Sequence, residues 1–149
     1  MSVLVVIASD HGGFALKQHV IEHLRSLAIS VQDLGPNTPE RCDYPDYAHL
    51  VCTAVQSEPE RTMGVLICGT GIGMSMTANK HSGIRAAVVS DVFSAQATRA
   101  HNDCNVLCLG ERVVGPGLAC MLVETWLKTE FEGGRHQTRL DKMMRFDRR

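Results

Sequence analysis

One stretch limits what this chain can fold into more than any other: Val65-Leu66-Ile67-Cys68-Gly69-Thr70-Gly71-Ile72-Gly73-Met74-Ser75. An apolar run of this kind reads as a buried strand. It stops at a cysteine, three glycines then alternate with Thr70 and Ile72, and a helix-like segment follows. Glycines let the backbone turn sharply and come close to a ligand. The loop's N–H groups and the next helix's N-terminus then face an anion or a developing oxyanion. Cys68 stands at that edge, where positive potential favours a thiolate. A tight structural turn is the plainer reading, but it gives no reason for three glycines to follow a cysteine. A base or nucleophile beside an anion loop is an arrangement for chemistry.

The rest of the chain alternates strand and helix patterns. Val3 to Ala8 is an apolar, β-branched run that reads as a buried parallel strand ending at Ser9-Asp10-His11-Gly12-Gly13. A helix follows, with Leu16, Val20, Leu24 and Leu27 on one stripe. Ile29, Val31 and Leu34 form a short second strand. A loop from Gly35 to Pro45 leads to Asp46, placed to cap a helix running towards Ser57. Beyond Cys68 the pattern predicts a helix to about Lys80, a strand over Ile84 to Val89 and a helix over Ser94 to His101. Asn105 to Leu109 is a fifth strand. Gly115-Pro116 opens a helix whose apolar face is Leu118, Met121, Leu122 and Trp126. Glu132-Gly133-Gly134 stops it, and a basic, polar helix begins near Arg135.

This order predicts a three-layer α/β/α domain over residues 1–149, Rossmann-like, with a five-stranded parallel sheet. Ligands of such folds bind beyond the carboxyl ends of the strands. Asp10-His11, Cys68 to Gly73, Ser90-Asp91 and Gly110 to Arg112 all fall at such ends. Their convergence says more than any one motif. Hydrophobic residues at 44% and charged residues at 21% fit a soluble globular chain. A net charge of -1 argues against a whole-surface nucleic-acid binder. The N-terminal apolar run is too short for a membrane span and lacks the basic start of a signal peptide. The expectation is a cytoplasmic protein whose six cysteines form no disulfide.

Several side chains could share the work. Thr70 offers a hydroxyl two residues beyond Cys68. Asp10 could either act in the site or cap the following helix. His11, if protonated, could meet an anion, and His101 is a candidate general acid or base in a polar triplet that would otherwise be a turn. Arg135 and Arg139 are four apart on one helix face, in first turns where cations are unfavourable unless an anion joins them. A phosphate gripped by two guanidinium groups resolves that conflict. The other reading is a solvated basic tail that includes Lys142, Arg145, Arg148 and Arg149. His19 and His23 have zinc-like spacing but no third ligand, and read as surface residues. Gly69-Thr70-Gly71-Ile72-Gly73 is G-x-G-x-G rather than the dinucleotide G-x-G-x-x-G.

Taken together, Asp10-His11-Gly12-Gly13-Phe14, Asp43-Tyr44-Pro45, Cys68 to Gly73, Ala78-Asn79-Lys80, Gly83-Ile84-Arg85-Ala86, His101-Asn102-Asp103, Gly110-Glu111-Arg112 and Gly133-Gly134-Arg135-His136 resemble the ribose-5-phosphate isomerase type B family. That family also holds allose- and galactose-6-phosphate isomerases, and the resemblance runs nearly end to end. It implies an aldose–ketose isomerase without metal or cofactor, interconverting ribose 5-phosphate and ribulose 5-phosphate through an enediolate. It implies that Cys68 moves the proton between C2 and C1 while Thr70 and the Gly71–Gly73 amides, with Gly69 and Ile72 in the same loop, hold the enediolate oxygens. His101 matches the proton donor in ring opening, assisted by Asp10, and Asn102 would contact the sugar. His11, Arg112, Arg135 and Arg139 match phosphate-binding positions. The Asp43-Tyr44 loop and the volume near His101 would decide five- against six-carbon sugars. Members of the family form dimers, sometimes paired into tetramers, whose sites draw on both chains. That would set His101, Asn102 and Arg112 across an interface from Cys68. Galactose-6-phosphate isomerase divides such residues between two different chains. Here Cys68 and His101 share one chain, which implies a homodimer or homotetramer without nucleic-acid or membrane partners.

Two other functions fit parts of the pattern. An isomerase of allose 6-phosphate or galactose 6-phosphate would use the same groups. A phosphosugar-binding regulator would bind without exchanging the C2 proton. A nucleotide-binding module is weakened by the glycine spacing.

Overall fold

In the computed structural model, which describes residues 2–147, five parallel strands form one sheet in the order β2-β1-β3-β5-β4. The strands are β1 (Leu4–Ser9), β2 (Ser30–Asp33), β3 (Thr62–Cys68), β4 (Ala86–Val88) and β5 (Val106–Gly110). The helices are α1 (Phe14–Ser26), α2 (Tyr44–Ser57), α3 (Ile72–Ala78), α4 (Val92–Asn102), α5 (Pro116–Lys128) and α6 (Arg135–Met144). A short 3-10 turn, His11–Gly13, precedes α1. The α/β, five-stranded parallel architecture expected from the sequence is the one observed.

Side-chain alternation along each strand builds the three layers. Val5, Ile7, Val65, Ile67, Leu107 and Leu109 face the apolar sides of α1 and α5, with Trp126 fully buried among them. Val6, Ala8, Leu66, Cys68, Val106 and Cys108 face the other way, onto α2 and α3. Trp126 keeps its indole N–H satisfied by the Cys104 carbonyl at 3.1 Å. The α6 helix packs outside these layers, against α4.

Several boundaries differ from the sequence reading. The α2 helix starts at Tyr44, with Pro45 in its first turn, so Asp46 lies inside the helix and Asp43 occupies the N-cap position without a cap bond. Proline suits a first turn because its missing N–H would have had no helical partner. The α4 helix starts earlier than expected because Asp91 caps it, Oδ1 accepting the Ser94 N–H at 2.7 Å. β4 is only three residues long, and α3 stops at Ala78. On α5 the buried face is Ala119, Leu122, Val123 and Trp126; Leu118 and Met121 point outward. Leu27 lies beyond the end of α1 and is exposed. His23 is tied to Glu124 on α5, Nε2 to Oε2 at 2.9 Å, rather than free at the surface. Of the basic tail, Arg148 and Arg149 lie outside the described residues.

Strand order reverses direction between β1 and β3, where β1 leads to β2 on one side and the chain then crosses to the other. A crevice opens at the carboxyl ends of such a pair. Ser9 pairs in register with Ile67, which brings Asp10 and Cys68 to the same lip.

Candidate functional site

Cys68 ends β3 and is nearly closed off from solvent, at 5% exposure. Its Sγ accepts the Gly71 N–H at 3.1 Å. That bond exists because Gly71 takes a left-handed conformation, φ 80°, open to glycine at little cost. The donor places a positive dipole against any charge the sulfur carries. The Thr70 Oγ1 in turn accepts the Ile72 N–H at 3.2 Å. Two amides expected to face a ligand are therefore turned inward onto side chains of the loop itself. The N–H groups of Gly69, Thr70 and Gly73 have no partner outside regular structure among the described residues.

Four neighbours complete this lip. Asp10 caps the 3-10 turn, Oδ1 accepting from the Gly12 and Gly13 amides at 2.9 and 3.2 Å, and Oδ2 has no hydrogen-bond partner among the described residues. His11 is exposed, its Nδ1 3.1 Å from the Cys42 carbonyl. The Tyr44 ring lies over Gly73, close enough that a β-carbon there would stand 2.7 Å from Cζ. Arg112 lies over Gly69, its Cδ and Nε 3.7 Å from where a β-carbon would be. This last placement corrects the expectation that Arg112 stands across an interface from Cys68. The turn after β5 folds back, Glu111 N–H donating to the Cys68 carbonyl at 2.9 Å and Arg112 N–H to that of Gly69 at 3.0 Å.

His101 and Asn102 are elsewhere. They end α4, which runs antiparallel to the strands, so they stand at the sheet's amino edge before β5 begins. The length of β5 separates the two edges by about 15 Å. Asp103 closes α4 in a left-handed conformation, its carboxylate paired with Arg85 and Arg99. Arg135 and Arg139 are exposed on α6 and stand with His101, not with Cys68. The sequence thus names two clusters, one at each edge, that a single chain does not bring together. A cavity of about 430 Å³ follows edge strand β4 and is lined by Asn79, Arg85, Thr98, Asn102 and Phe146. None of four cavities of about 230 to 430 Å³ is lined by Cys68. In one chain the Cys68 lip stands apart from His101, Asn102, Arg135 and Arg139.

All six cysteines are free. Burial pushes the Cys52 thiol up to about 12 and raises Cys104 and Cys108 as well, which suits three small core side chains. Sequence reading missed Glu132 beside His136. The carboxylate Oε2 lies 3.3 Å from Nε2 of His136 and 4.0 Å from Nε2 of His101, and the two rings are stacked. Helical spacing gave no signal for this pair, because Glu132 lies before α6, beyond two glycines of positive φ. The three ligand atoms lie within 4.8 Å of one another, a set that could hold a cation. Near-parallel rings oppose this. An ion between them would sit roughly 2 Å out of each plane, whereas a nitrogen ligand needs it in plane at about that distance.

A cysteine at the carboxyl edge of a parallel sheet, faced by amides, a carboxylate and an arginine, defines an α/β enzyme built to handle anionic substrates. The chain belongs to the ribose/galactose isomerase family, which it matches over residues 5–143. It is 48% identical over 145 residues to ribose-5-phosphate isomerase B of Escherichia coli, covering 97% of each chain. It is similar to the crystal structure of ribose-5-phosphate isomerase B from Mycoplasma genitalium with bound ribulose-5-phosphate, at a TM-score of 0.94, 46% identity and coverage of 98% of this chain and 97% of that one. The Clostridium thermocellum ribose-5-phosphate isomerase B structure gives a TM-score of 0.93 at 48% identity, with 96% of each chain covered. The chain is an aldose–ketose isomerase. Among the described residues no helix is long and apolar enough to cross a membrane.

Proposed function

We propose that this isomerase interconverts ribose 5-phosphate and ribulose 5-phosphate, with Cys68 as the proton-transferring base. The observation that carries the reading is the Cys68 Sγ held by the Gly71 N–H at the β1/β3 crevice. The relatives' substrate, a five-carbon sugar phosphate, supplies the rest. In the open-chain aldose the sulfur, as thiolate, takes the C2 proton. The C2–H electron pair forms a C1–C2 double bond, and the C1 carbonyl pair moves onto O1. The thiol then returns a proton to C1 while O2 loses its own and becomes the ketone oxygen, and O1 gains one. The Thr70 hydroxyl and the amides of Gly69, Thr70 and Gly73 stabilise the charge that grows on O1 and O2. The free Asp10 oxygen faces the sugar hydroxyls, and Tyr44, with Asp43 before it, walls the sugar's side.

Ring opening needs a second proton donor, placed at the furanose oxygen. In this reading His101 supplies it from a second copy of the chain, together with Asn102. Arg135 and Arg139 of that copy and His11 and Arg112 of the first hold the phosphate. Ile72, Met76, Val88, Val92 and Phe93 are exposed on and after α3, β4 and the start of α4, apolar side chains that an interface would cover. The working unit is a homodimer with two shared sites, in the cytoplasm, where free thiols persist.

The test is isotope exchange. In D2O the protein with ribulose 5-phosphate incorporates solvent deuterium at C1, seen by NMR, and Cys68→Ala does not. Binding without exchange would make the protein a regulator. Faster turnover of allose 6-phosphate than of ribose 5-phosphate would move the assignment to a six-carbon sugar.

A further inference from the structure

His101 sits on the last turn of α4 with its side chain 43% exposed. Among the described residues none of its own helix bonds to its ring. Two groups from the segment after α5 touch it instead. His136, whose side chain is only 8% exposed, lays its imidazole against that of His101, centroids 4.4 Å apart and planes within 12° of parallel. The Glu132 carboxylate lies on the Nε2 side of both rings, one oxygen 3.3 Å from His136 Nε2 and 4.0 Å from His101 Nε2. The frame behind them is fixed. The Glu132 N–H donates to the Ala100 carbonyl at 3.0 Å, which fastens the loop to α4 one residue before His101. Leu140, one turn beyond His136, is buried and anchors α6.

An exposed histidine at a helix end otherwise samples several rotamers. A general acid must stand within about 3 Å of the atom it protonates. A displacement of about 1 Å can cost roughly a hundredfold in rate. Stacking fixes the plane of the His101 ring, and the carboxylate lies on its Nε2 side, which leaves the Nδ1 edge for the substrate. Resting on the reading of His101 as the ring-opening acid, we propose that His136 and Glu132 are positioning residues that hold the His101 ring so that its Nδ1 edge meets the ring oxygen of the bound sugar. Neither touches the substrate. Their effect falls on ring opening and not on the enediolate step, because that step moves its proton through Cys68 and the glycine loop of the other copy.

The two steps can be read apart because the two sugars differ in form. Ribose 5-phosphate closes a furanose through its C4 oxygen. Ribulose 5-phosphate cannot close one, since the oxygen its ketone needs carries the phosphate. Turnover of ribose 5-phosphate reports ring opening plus proton transfer. Solvent deuterium entry at C1 of ribulose 5-phosphate reports proton transfer alone. His136→Ala and Glu132→Gln should each slow the first by about tenfold or more while leaving the second within about twofold. His136→Phe, which restores a flat ring to stack on, should recover part of the loss. Glu132 is exposed, so its variant keeps the test alive if the buried His136→Ala fails to fold. Equal losses in both assays, or no loss in either, would overturn the positioning role. His101→Ala is the control. If it shows no preferential loss on the furanose, the ring-opening assignment itself fails. If it does and the Glu132 and His136 variants do not, only the positioning role fails.

Discussion

Gly110 and Thr70 meet backbone to backbone: a β-carbon on Gly110 would lie 2.6 Å from the Thr70 carbonyl carbon and oxygen. Neither partner can yield as a flexible side chain would. The contact lets β5 end flush against the loop that carries the Cys68–Gly71 bond. Gly110→Ala should therefore destabilise the protein by about 1–3 kcal/mol, the usual cost of overpacking. It should also lower kcat, because Thr70 must move. Calorimetry and steady-state rates check both. A variant with unchanged Tm and kcat would show that the loop gives way freely.

Cys68→Ala removes the proposed base and leaves a small cavity. The expected loss in kcat is about 10²–10⁴-fold, the range of a positioned acid or base. Phosphosugar affinity, measured by calorimetric titration, should stay near the parent value. Cys52, Cys104 and Cys108 serve as internal controls. Each is buried with a raised thiol, so alanine there should affect stability and leave kcat nearly unchanged.

The strands and layers were legible, though not the strand order, because Val5, Ile7, Val65 and Ile67 alternate with residues facing the other sheet side, and periodicity is a local signal. The lip of Asp10 and Cys68 was legible for the same reason: both residues end predicted strands. Direction was harder. The amides of Gly71 and Ile72 look free in sequence, yet they turn onto Cys68 and Thr70, which only loop geometry decides. Arg112 was set across an interface by family resemblance, whereas a turn bonded to Gly69 keeps it home. Leu118 and Met121 fit the apolar stripe of α5 by type, but the helix buries Ala119 and Val123 instead, a rotation that packing against α1 and α4 determines.

Arg112 lies across Gly69, at the mouth of the proposed site. If it grips the substrate phosphate, it does so equally in ground and transition states. Arg112→Ala should then raise KM by about 10- to 100-fold, matching about 1.5–3 kcal/mol for a charged hydrogen bond, with kcat changed little. Arg112→Lys should recover part of that affinity. A fall in kcat at constant KM would instead put Arg112 in the chemistry.

Glu124 joins α5 to α1 through His23 and to its own helix through Lys128. The Lys128 hydrogen bond, then the His23 one, lower its pKa below the ordinary 4.5. A carboxyl lowered on folding stabilises the native state above its unfolded value, and that contribution is lost as pH falls through the folded value. The urea midpoint of Glu124→Gln should therefore lie below that of the parent at neutral pH. The gap should shrink as pH drops below 4.5 and close in stronger acid. Because the group is partly open to solvent, the gap should be small and salt-sensitive. A gap that widens in acid would contradict this assignment.

Separation of Cys68 and His101 by the sheet's full depth makes the shared site open to a mixing experiment. Cys68→Ala homodimers lack the base in both sites, and His101→Ala homodimers lack the ring-opening acid in both. A dimer with one chain of each kind holds one site with both defects and one site with neither. Random exchange makes about half of the dimers mixed, so the mixture should reach about a quarter of parental activity on ribose 5-phosphate. Each variant alone should stay far below that. The recovery should grow at the rate of subunit exchange and saturate at equal proportions. A mixture no more active than the mean of its parts, once exchange is shown by mass spectrometry, would mean that His101 serves its own chain or none.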